Sequence, residues 1–303
     1  MAARTHLTLV FDDATVGEIG ELRRRFDPTM ARWVPPHVTL VYPEEHHGDL
    51  ELLLQRTRRI ATGAEQFLLR LGDVVTDGDA GEGGVFVAVD DASGSWSRLR
   101  SAILTPPMSR LDVEPHLTVV HPRTSNRGPT AFAELASRSF GRVLVSAELC
   151  LTVSRSDRPM ELVERIALRF RGHLAAGVIL VDGDRVLLGH RHPSRERYPD
   201  AWDMVGGRIE SGEQPLDTIV REAAEEIGVV IRGDDLRFVD CRATDEYQLA
   251  VFAIDRWDGE PVNLATDEHD AIAWHHLDDL DSIDLVDPAV AEACRAAVAL
   301  FRR

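Results

Sequence analysis

Between Gly207 and Val229 the chain reads GRIESGEQPLDTIVREAAEEIGV, and few folds accommodate such a stretch. A loop carrying Gly206, Gly207 and Gly212 leads into a helix expected to begin near Glu213 or Gln214, with Pro215 in its first turn. Leu216, Ile219, Val220, Ala223 and Ile227 recur at helical spacing and give the buried side, and Gly228 stops the helix. Glu222, Glu225 and Glu226 stand at i, i+3 and i+4, so three carboxylates share one face. Like charges at that spacing cost helix stability unless something neutralises them. Solvent and Arg221 could do so in part, as on any solvated acidic face. A hard cation such as magnesium does it better, because it takes carboxylate and phosphate oxygens together.

The rest of the sequence sets the frame for this stretch. At 303 residues, with 44% hydrophobic and 28% charged residues, the chain has the length and composition of two globular domains. No run is apolar enough to span a membrane and the N-terminus has no signal-peptide pattern; with the three unpaired-looking cysteines, Cys150, Cys241 and Cys294, this leads us to expect a reduced, cytoplasmic setting. The charge is uneven. Residues 1–171 hold 21 arginines and 23 acids, whereas residues 172–303 hold 13 arginines and 28 acids. The acidic part argues against non-specific DNA binding and suits a site that meets phosphates through metal ions. Lysine is absent, so covalent lysine catalysis is excluded, and any direct phosphate contact falls to arginine, histidine, hydroxyls or backbone N–H groups.

The first part alternates strands and helices. Strands are expected at 5–11, 37–41, 66–74, 85–89, 142–154 and 161–168, and helices at 14–25, 49–62, 93–104 and 129–139. One pattern occurs twice. Pro36-His37-Val38-Thr39 returns about 79 positions on as Pro115-His116-Leu117-Thr118, each followed by apolar residues and a later proline, Pro43 and Pro122. We therefore expect a two-lobed α+β domain with an internal pseudo-repeat. In a strand, residues i and i+2 share a face, so His37 and Thr39 are neighbours, as are His116 and Thr118. Two such sets across a groove could flank a phosphate. The threonine hydroxyls would hold its oxygens, one imidazole would take a proton from water and the other would protonate the leaving oxygen. No metal is needed, and which histidine is base and which is acid stays open. Arg123 and Arg127 follow the second set and could hold a substrate phosphate or lie as loop arginines. His6-Leu7-Thr8 is a third instance but lacks the proline.

In the second part, strands are expected at 175–181, 185–189, 236–242, 247–256 and 271–275, and helices at 213–227 and 288–300. The boundary is placed between 171 and 172, giving domains 1–171 and 172–303.

The paired H-x-T strands resemble the 2H phosphoesterase family, which includes proteins called 2'-5' RNA ligases. The resemblance implies metal-independent action at His37, Thr39, His116 and Thr118 on a 2',3'-cyclic or related ribose phosphate. The stretch from Gly207 through Glu213 to Arg221-Glu222-Ala223-Ala224-Glu225-Glu226-Ile227-Gly228 resembles the Nudix box, and the fold implied is an α/β/α sandwich with a mixed sheet. That resemblance makes Glu222, Glu225 and Glu226 ligands of Mg2+ or Mn2+, with the Gly206 carbonyl as a further one. It makes Glu213 and Arg221 a supporting ion pair. It also implies a glutamate from a distant loop as ligand or general base, for which Glu268 is the candidate, with Asp267, His269 and Asp270 as rivals. Arg191 could reach a terminal phosphate. Val205 departs from the proline many family members carry before the glycine pair. The function expected is a bifunctional phosphohydrolase acting on nucleotide small molecules or short RNA ends. The alternative is a nucleotide or RNA-end sensor whose first domain is non-catalytic or RNA-ligating. The oligomeric state is not legible.

Overall fold

The computed structural model describes residues 3–155 and 158–302, and the chain forms two compact units, Met1–Arg171 and Gly172–Arg303.

The first unit runs β1 (Arg4–Val10), α1 (Asp13–Val16), α2 (Glu18–Phe26), α3 (Pro28–Trp33), β2 (His37–Val41), α4 (Pro43–His46), α5 (Leu50–Ala61), β3 (Phe67–Thr76), β4 (Val85–Asp90), α6 (Ser95–Ile103), β5 (His116–Val120), α7 (Gly128–Leu135), β6 (Ser139–Ser146), β7 (Glu148–Ser154) and β8 (Glu161–Ala167). Its strands form one eight-stranded sheet in the order β6-β3-β4-β5-β2-β1-β7-β8. The two lobes are the halves of this sheet. They meet at β2 and β5, which share a single antiparallel pair, Val38 with Leu117. The repeat is visible about that seam, since β1-helices-β2 on one side matches β4-α6-β5 on the other.

Three expectations are corrected here. The helix expected over 14–25 is two helices, because Gly17 takes a φ of 59° and breaks it. Asp27 then caps a further helix, α3, which was not expected; its carboxylate accepts from Met30 N–H at 2.9 Å. The single strand expected over 142–154 is β6 and β7, interrupted at Ala147, and α7 ends at Leu135 rather than 139.

A buried ion pair holds the β2 end of this sheet to its helices. Arg100 on α6 and Glu45 on α4 are bonded at 2.6 Å, with side chains 3% and 0% exposed. Arg100 also donates to the carbonyls of Leu40 and Leu111. Glu45 accepts from the N–H groups of Tyr42 and Leu111. Both terminal nitrogens of Arg100 and both oxygens of Glu45 are thereby engaged, which is the condition under which a buried pair is tolerated.

The second unit runs β9 (Leu174–Asp182), β10 (Arg185–Arg191), β11 (Trp202–Asp203), β12 (Val205–Arg208), α8 (Pro215–Ile227), β13 (Arg237–Ala243), β14 (Gln248–Ile254), β15 (His269–His276) and α9 (Pro288–Phe301). Its seven-stranded sheet has the path β11-β10-β9-β14-β13, with β12 on β9 and β15 on β10. The sheet is mixed: β14 runs parallel to β9, whereas β10 and β12 are antiparallel to it. Val290, Cys294 and Ala297 of α9 pack on Ile179, Val186 and Val251.

Replacing Arg100 with leucine strands the Glu45 carboxylate in the interior. We expect a loss of about 3–5 kcal/mol in the stability of the first unit, read as a lower urea midpoint; a change below about 1 kcal/mol would show that the pair is dispensable.

Candidate functional site

Two separate sites emerge, one in each unit. In the second, α8 buries Ile219, Ala223 and Ile227 and ends at Gly228 in the left-handed conformation, φ 69°. This phase turns Glu222 and Glu226 toward β12. Glu226 is 4% exposed and accepts from Gly206 N–H at 3.2 Å. A β-carbon at Gly207 would lie 2.1 Å from Glu222 Oε1, and one at Gly206 would lie 2.3 Å from the Ala176 carbonyl. At Gly206, with a φ of 149° and β9 backbone alongside, only glycine fits, whereas a β-carbon at Gly207 would push the Glu222 carboxylate aside. Glu225 points outward, its side chain 62% exposed.

Arg221 organises the acids that face solvent. It grips Glu213 through two nitrogens at 2.8 and 3.1 Å and the Arg208 carbonyl at 3.2 Å. Its remaining nitrogen, Nη1, reaches Glu222 at 2.8 Å and Glu225 at 3.2 Å. The Arg221 hydrogen bond lowers the Glu213 carboxyl to about 2, and Glu213 in turn accepts from Glu210 N–H and Thr218 Oγ1.

Glu226 behaves in the opposite way. Burial, then the neighbouring Glu222, with Glu268 and Asp203 adding to them, pushes its carboxyl up to about 8. Glu222 is raised for the same reason, burial first. Glu268 therefore stands within electrostatic reach of both acids. Its backbone carbonyl accepts from His192 N–H, and its carboxylate pairs with Arg195 at 3.1 Å. Its rivals lie elsewhere: His269 is 5% exposed, Asp270 binds His190 Nδ1 at 2.6 Å, and Asp267 is exposed. Arg191 is committed to the carbonyls of Arg197 and Tyr198 and stands 3.7 Å from Asp203. Asp203, raised to about 6 by burial, was not singled out in the sequence; its signal was its place three residues before the glycine pair.

Among the described residues no three acidic, histidine or cysteine side chains converge as a ready metal cage. The donor chemistry nonetheless fits a hard divalent cation. The available donors are oxygens, and the buried carboxylates repel one another enough to raise both Glu222 and Glu226. Glu222, Glu225, Glu226 and Glu268 would hold the ion, with the Gly206 carbonyl beside them. An adjoining cavity of about 260 Å³ is lined by Gly206, Gly207, Tyr198, Asp203, Arg242 and Tyr247, among others.

The first unit carries its histidines on the seam. The Val38–Leu117 pair sets position 37 opposite 118 and position 39 opposite 116, so the two H-x-T sets share one face. His37 Nδ1 donates to the Pro35 carbonyl at 2.9 Å, and His116 Nδ1 donates to the Glu114 carbonyl at 3.0 Å. A carbonyl can only accept, so each neutral ring keeps its lone pair on Nε2. Burial lowers His37 to about 4, and it lowers His116 as well. The Thr39 hydroxyl hydrogen-bonds Tyr42, and Trp96 Nε1 donates to the Thr39 carbonyl at 3.3 Å.

His6-x-Thr8 lies on β1 next to this pair, on the same face, since Thr8 stands opposite Thr39 and Val10 opposite His37. His6 bonds the Arg4 carbonyl and is lowered to about 4 by burial and then by His37. Three imidazoles thus line adjacent strands, each held by the carbonyl two residues before it. Arg127 donates to the Arg25 carbonyl at 2.6 Å and lies over the Phe26 ring, a packing position. Arg123 is exposed beside His121.

A carboxyl with a raised pKa binds its proton more tightly folded than unfolded, so its penalty on stability is absent below the usual carboxyl range and grows as pH rises toward 8. Metal-free Glu226→Gln protein should escape that penalty. At pH 8 it should be more stable than the parent by roughly 2–4 kcal/mol, with the difference vanishing near pH 4. Equal thermal midpoints at both pH values would refute the buried-charge account.

Comparison with known proteins places each domain in a family. The NUDIX domain family model matches residues 171–295, and that of the 2'-5' RNA ligase superfamily matches residues 11–158. An uncharacterized Nudix hydrolase of Pseudomonas aeruginosa is 33% identical over 92 residues, which is 29% of this chain and 54% of that protein, so the chain spans about half of that relative. The 8-oxo-dGTP diphosphatase of Proteus vulgaris is 32% identical over 92 residues, 29% of this chain and 80% of that enzyme. The dihydroneopterin triphosphate diphosphatase of Escherichia coli is 32% identical over 68 residues, 22% of this chain and 43% of that enzyme. The crystal structure of a MutT NUDIX hydrolase from Burkholderia pseudomallei superposes with a TM-score of 0.37 at 24% identity, covering 41% of this chain and 96% of that one. The chain belongs to the Nudix hydrolase family through its second domain, which follows a domain of the 2'-5' RNA ligase superfamily.

Proposed function

We propose that the second domain hydrolyses a diphosphate linkage in a nucleotide-type small molecule, and that the first acts on a 2',3'-cyclic or related ribose phosphate. The observation that carries the first half is the packing of Glu222 and Glu226 against Gly206 and Gly207, with Glu268 in electrostatic reach. Bound Mg2+ or Mn2+ would neutralise the diphosphate and lower the pKa of water. The chain's own residues do the rest. Glu222, Glu225, Glu226 and Glu268 would hold the ion. The Glu213–Arg221 pair fixes the loop against α8, and the 260 Å³ cavity receives the group beyond the diphosphate.

Two substrate types suit that cavity. Relatives named for 8-oxo-dGTP and dihydroneopterin triphosphate favour a heterocyclic nucleoside triphosphate, while an ADP-ribose type offers the same linkage. In the first domain, Nε2 of one histidine takes a proton from water and Nε2 of the other returns one to the leaving oxygen. Thr39 and Thr118 offer hydroxyls to the phosphoryl oxygens between them. The three cysteines are free, which supports a reduced, cytoplasmic setting.

A panel of oxidised and normal nucleoside triphosphates, ADP-ribose and 2',3'-cyclic nucleotides, assayed with magnesium and then with EDTA, tests both halves. Glu226→Gln should lose about a hundredfold or more in magnesium-dependent cleavage and leave EDTA-resistant ring opening intact. His37→Ala should do the reverse. Diphosphate cleavage without any ring opening would reduce the first domain to a binding or sensing module.

A further inference from the structure

We infer that Arg195 is the arginine that meets the substrate's phosphate at the second-domain site, and that in the free protein Glu268 holds it in readiness; the inference rests on the diphosphatase reading above. A diphosphate entering this site meets the carboxylates of Glu222, Glu225, Glu226 and Glu268, all of its own sign. Its outer oxygens need a cation supplied by the chain, and in a chain without lysine that cation is an arginine.

Most arginines near the acids are already spent. Arg221 grips Glu213 and the Arg208 carbonyl, which fixes the loop before α8. Arg191 holds the carbonyls of Arg197 and Tyr198. Arg197 pairs with Glu246 at 3.2 Å, and Arg242 pairs with Asp240. Arg208 follows Gly207 on β12. A β-carbon at Gly207 would meet Glu222, so the Arg208 side chain points to the opposite face of the sheet. Arg195 is left. Its side chain is 38% exposed, and its partner is the Glu268 carboxylate at 3.1 Å, on a side chain 42% exposed. Both groups are open to solvent, so the pair is weakly held and parts at little cost.

The local sequence puts Arg195 in this place. A β-bulge on β15 sets Asp270 between Ala271, opposite His190, and His269, opposite Arg191. Just beyond the bulge, the Glu268 carbonyl accepts from His192 N–H at 2.8 Å, which ties the loop leaving β10 to Glu268 itself. His192-Pro193-Ser194-Arg195 then forms a β-turn, with proline at its second position and Arg195 N–H donating to the His192 carbonyl at 3.0 Å. The Arg191 guanidinium closes the rest of the loop through Arg197 and Tyr198. The turn thus brings one guanidinium to a carboxylate that stands within electrostatic reach of Glu222 and Glu226.

The same Glu268 oxygens cannot serve a guanidinium and a divalent ion at once. Once Glu268 turns to an ion, Arg195 is set free at the edge of the acids, where the phosphate arrives. Its planar fork then takes two phosphoryl oxygens. No covalent bond forms or breaks in this step; the guanidinium passes from one anion to another.

The test uses the full chain. Binding of Mn2+ without nucleotide is followed by loss of the EPR signal of the free ion, counting the site that Glu226→Gln removes. Arg195→Gln should bind Mn2+ about two- to fivefold more tightly than the parent, because Glu268 no longer has to release a partner. In a Glu268→Gln background the same substitution should leave the affinity unchanged. Turnover with magnesium, on ADP-ribose and on an oxidised nucleoside triphosphate, should move the other way. Arg195→Gln should raise KM about tenfold or more and keep kcat within about threefold of the parent. Weaker or unchanged Mn2+ binding in Arg195→Gln, a gain that persists without Glu268, or an unmoved KM would each overturn the inference. A parent that binds Mn2+ at the Glu226 site yet cleaves neither substrate would overturn the diphosphatase reading, and the phosphate role of Arg195 with it, while the Mn2+ titrations would still decide whether Arg195 and Glu268 are coupled.

Discussion

The second domain depends on how closely α8 approaches β12. Where Gly207 meets Glu222 a β-carbon would displace the carboxylate, and at Gly206 the N–H donates to Glu226. That contact draws two carboxylates out of water and toward each other. Burying a charge without a partner is among the most costly things a fold can do. Much of the surrounding sequence can be understood as containing the cost: Arg221 spans Glu213, Glu222 and Glu225, and Gly228 ends the helix just past the acids.

The first domain solves a different problem with the same means. Its sheet is nearly two sheets, joined by one backbone pair, so side chains must supply the continuity. Arg100 and Glu45 do this through a buried two-point pair, fastening β2 to α4 and α6. Arg23 does it without an ion-paired carboxylate, through two carbonyls on either side of the seam.

Periodicity made the long elements legible. Ile219, Ala223 and Ile227 mark α8, and the doubled H-x-T sets mark the strands that meet at the seam. Breaks were less visible. Gly17 splits a helix whose hydrophobic pattern runs on through it, and α3 follows within two residues because Asp27 caps it while ending α2. Residues whose role is tertiary were hardest. Arg23 sits in a run of three arginines, of which Arg24 and Arg25 pair with Asp13 and Glu134 at the surface. Only its phase, in the stripe of Ile19, Leu22 and Phe26, hinted at burial. His6 lacks the proline of its two counterparts, and only the β1–β2 register places it beside them. Glu268 could not be separated from Asp267 by sequence, because what distinguishes them is direction.

Arg221 has one more consequence. Its Nη1 already occupies oxygens of Glu222 and Glu225 that a divalent ion would need. Loading the site with such an ion would therefore exchange one cation for another rather than fill a vacant negative well. That exchange favours double charge over single, since a monovalent ion gains little over the guanidinium it displaces.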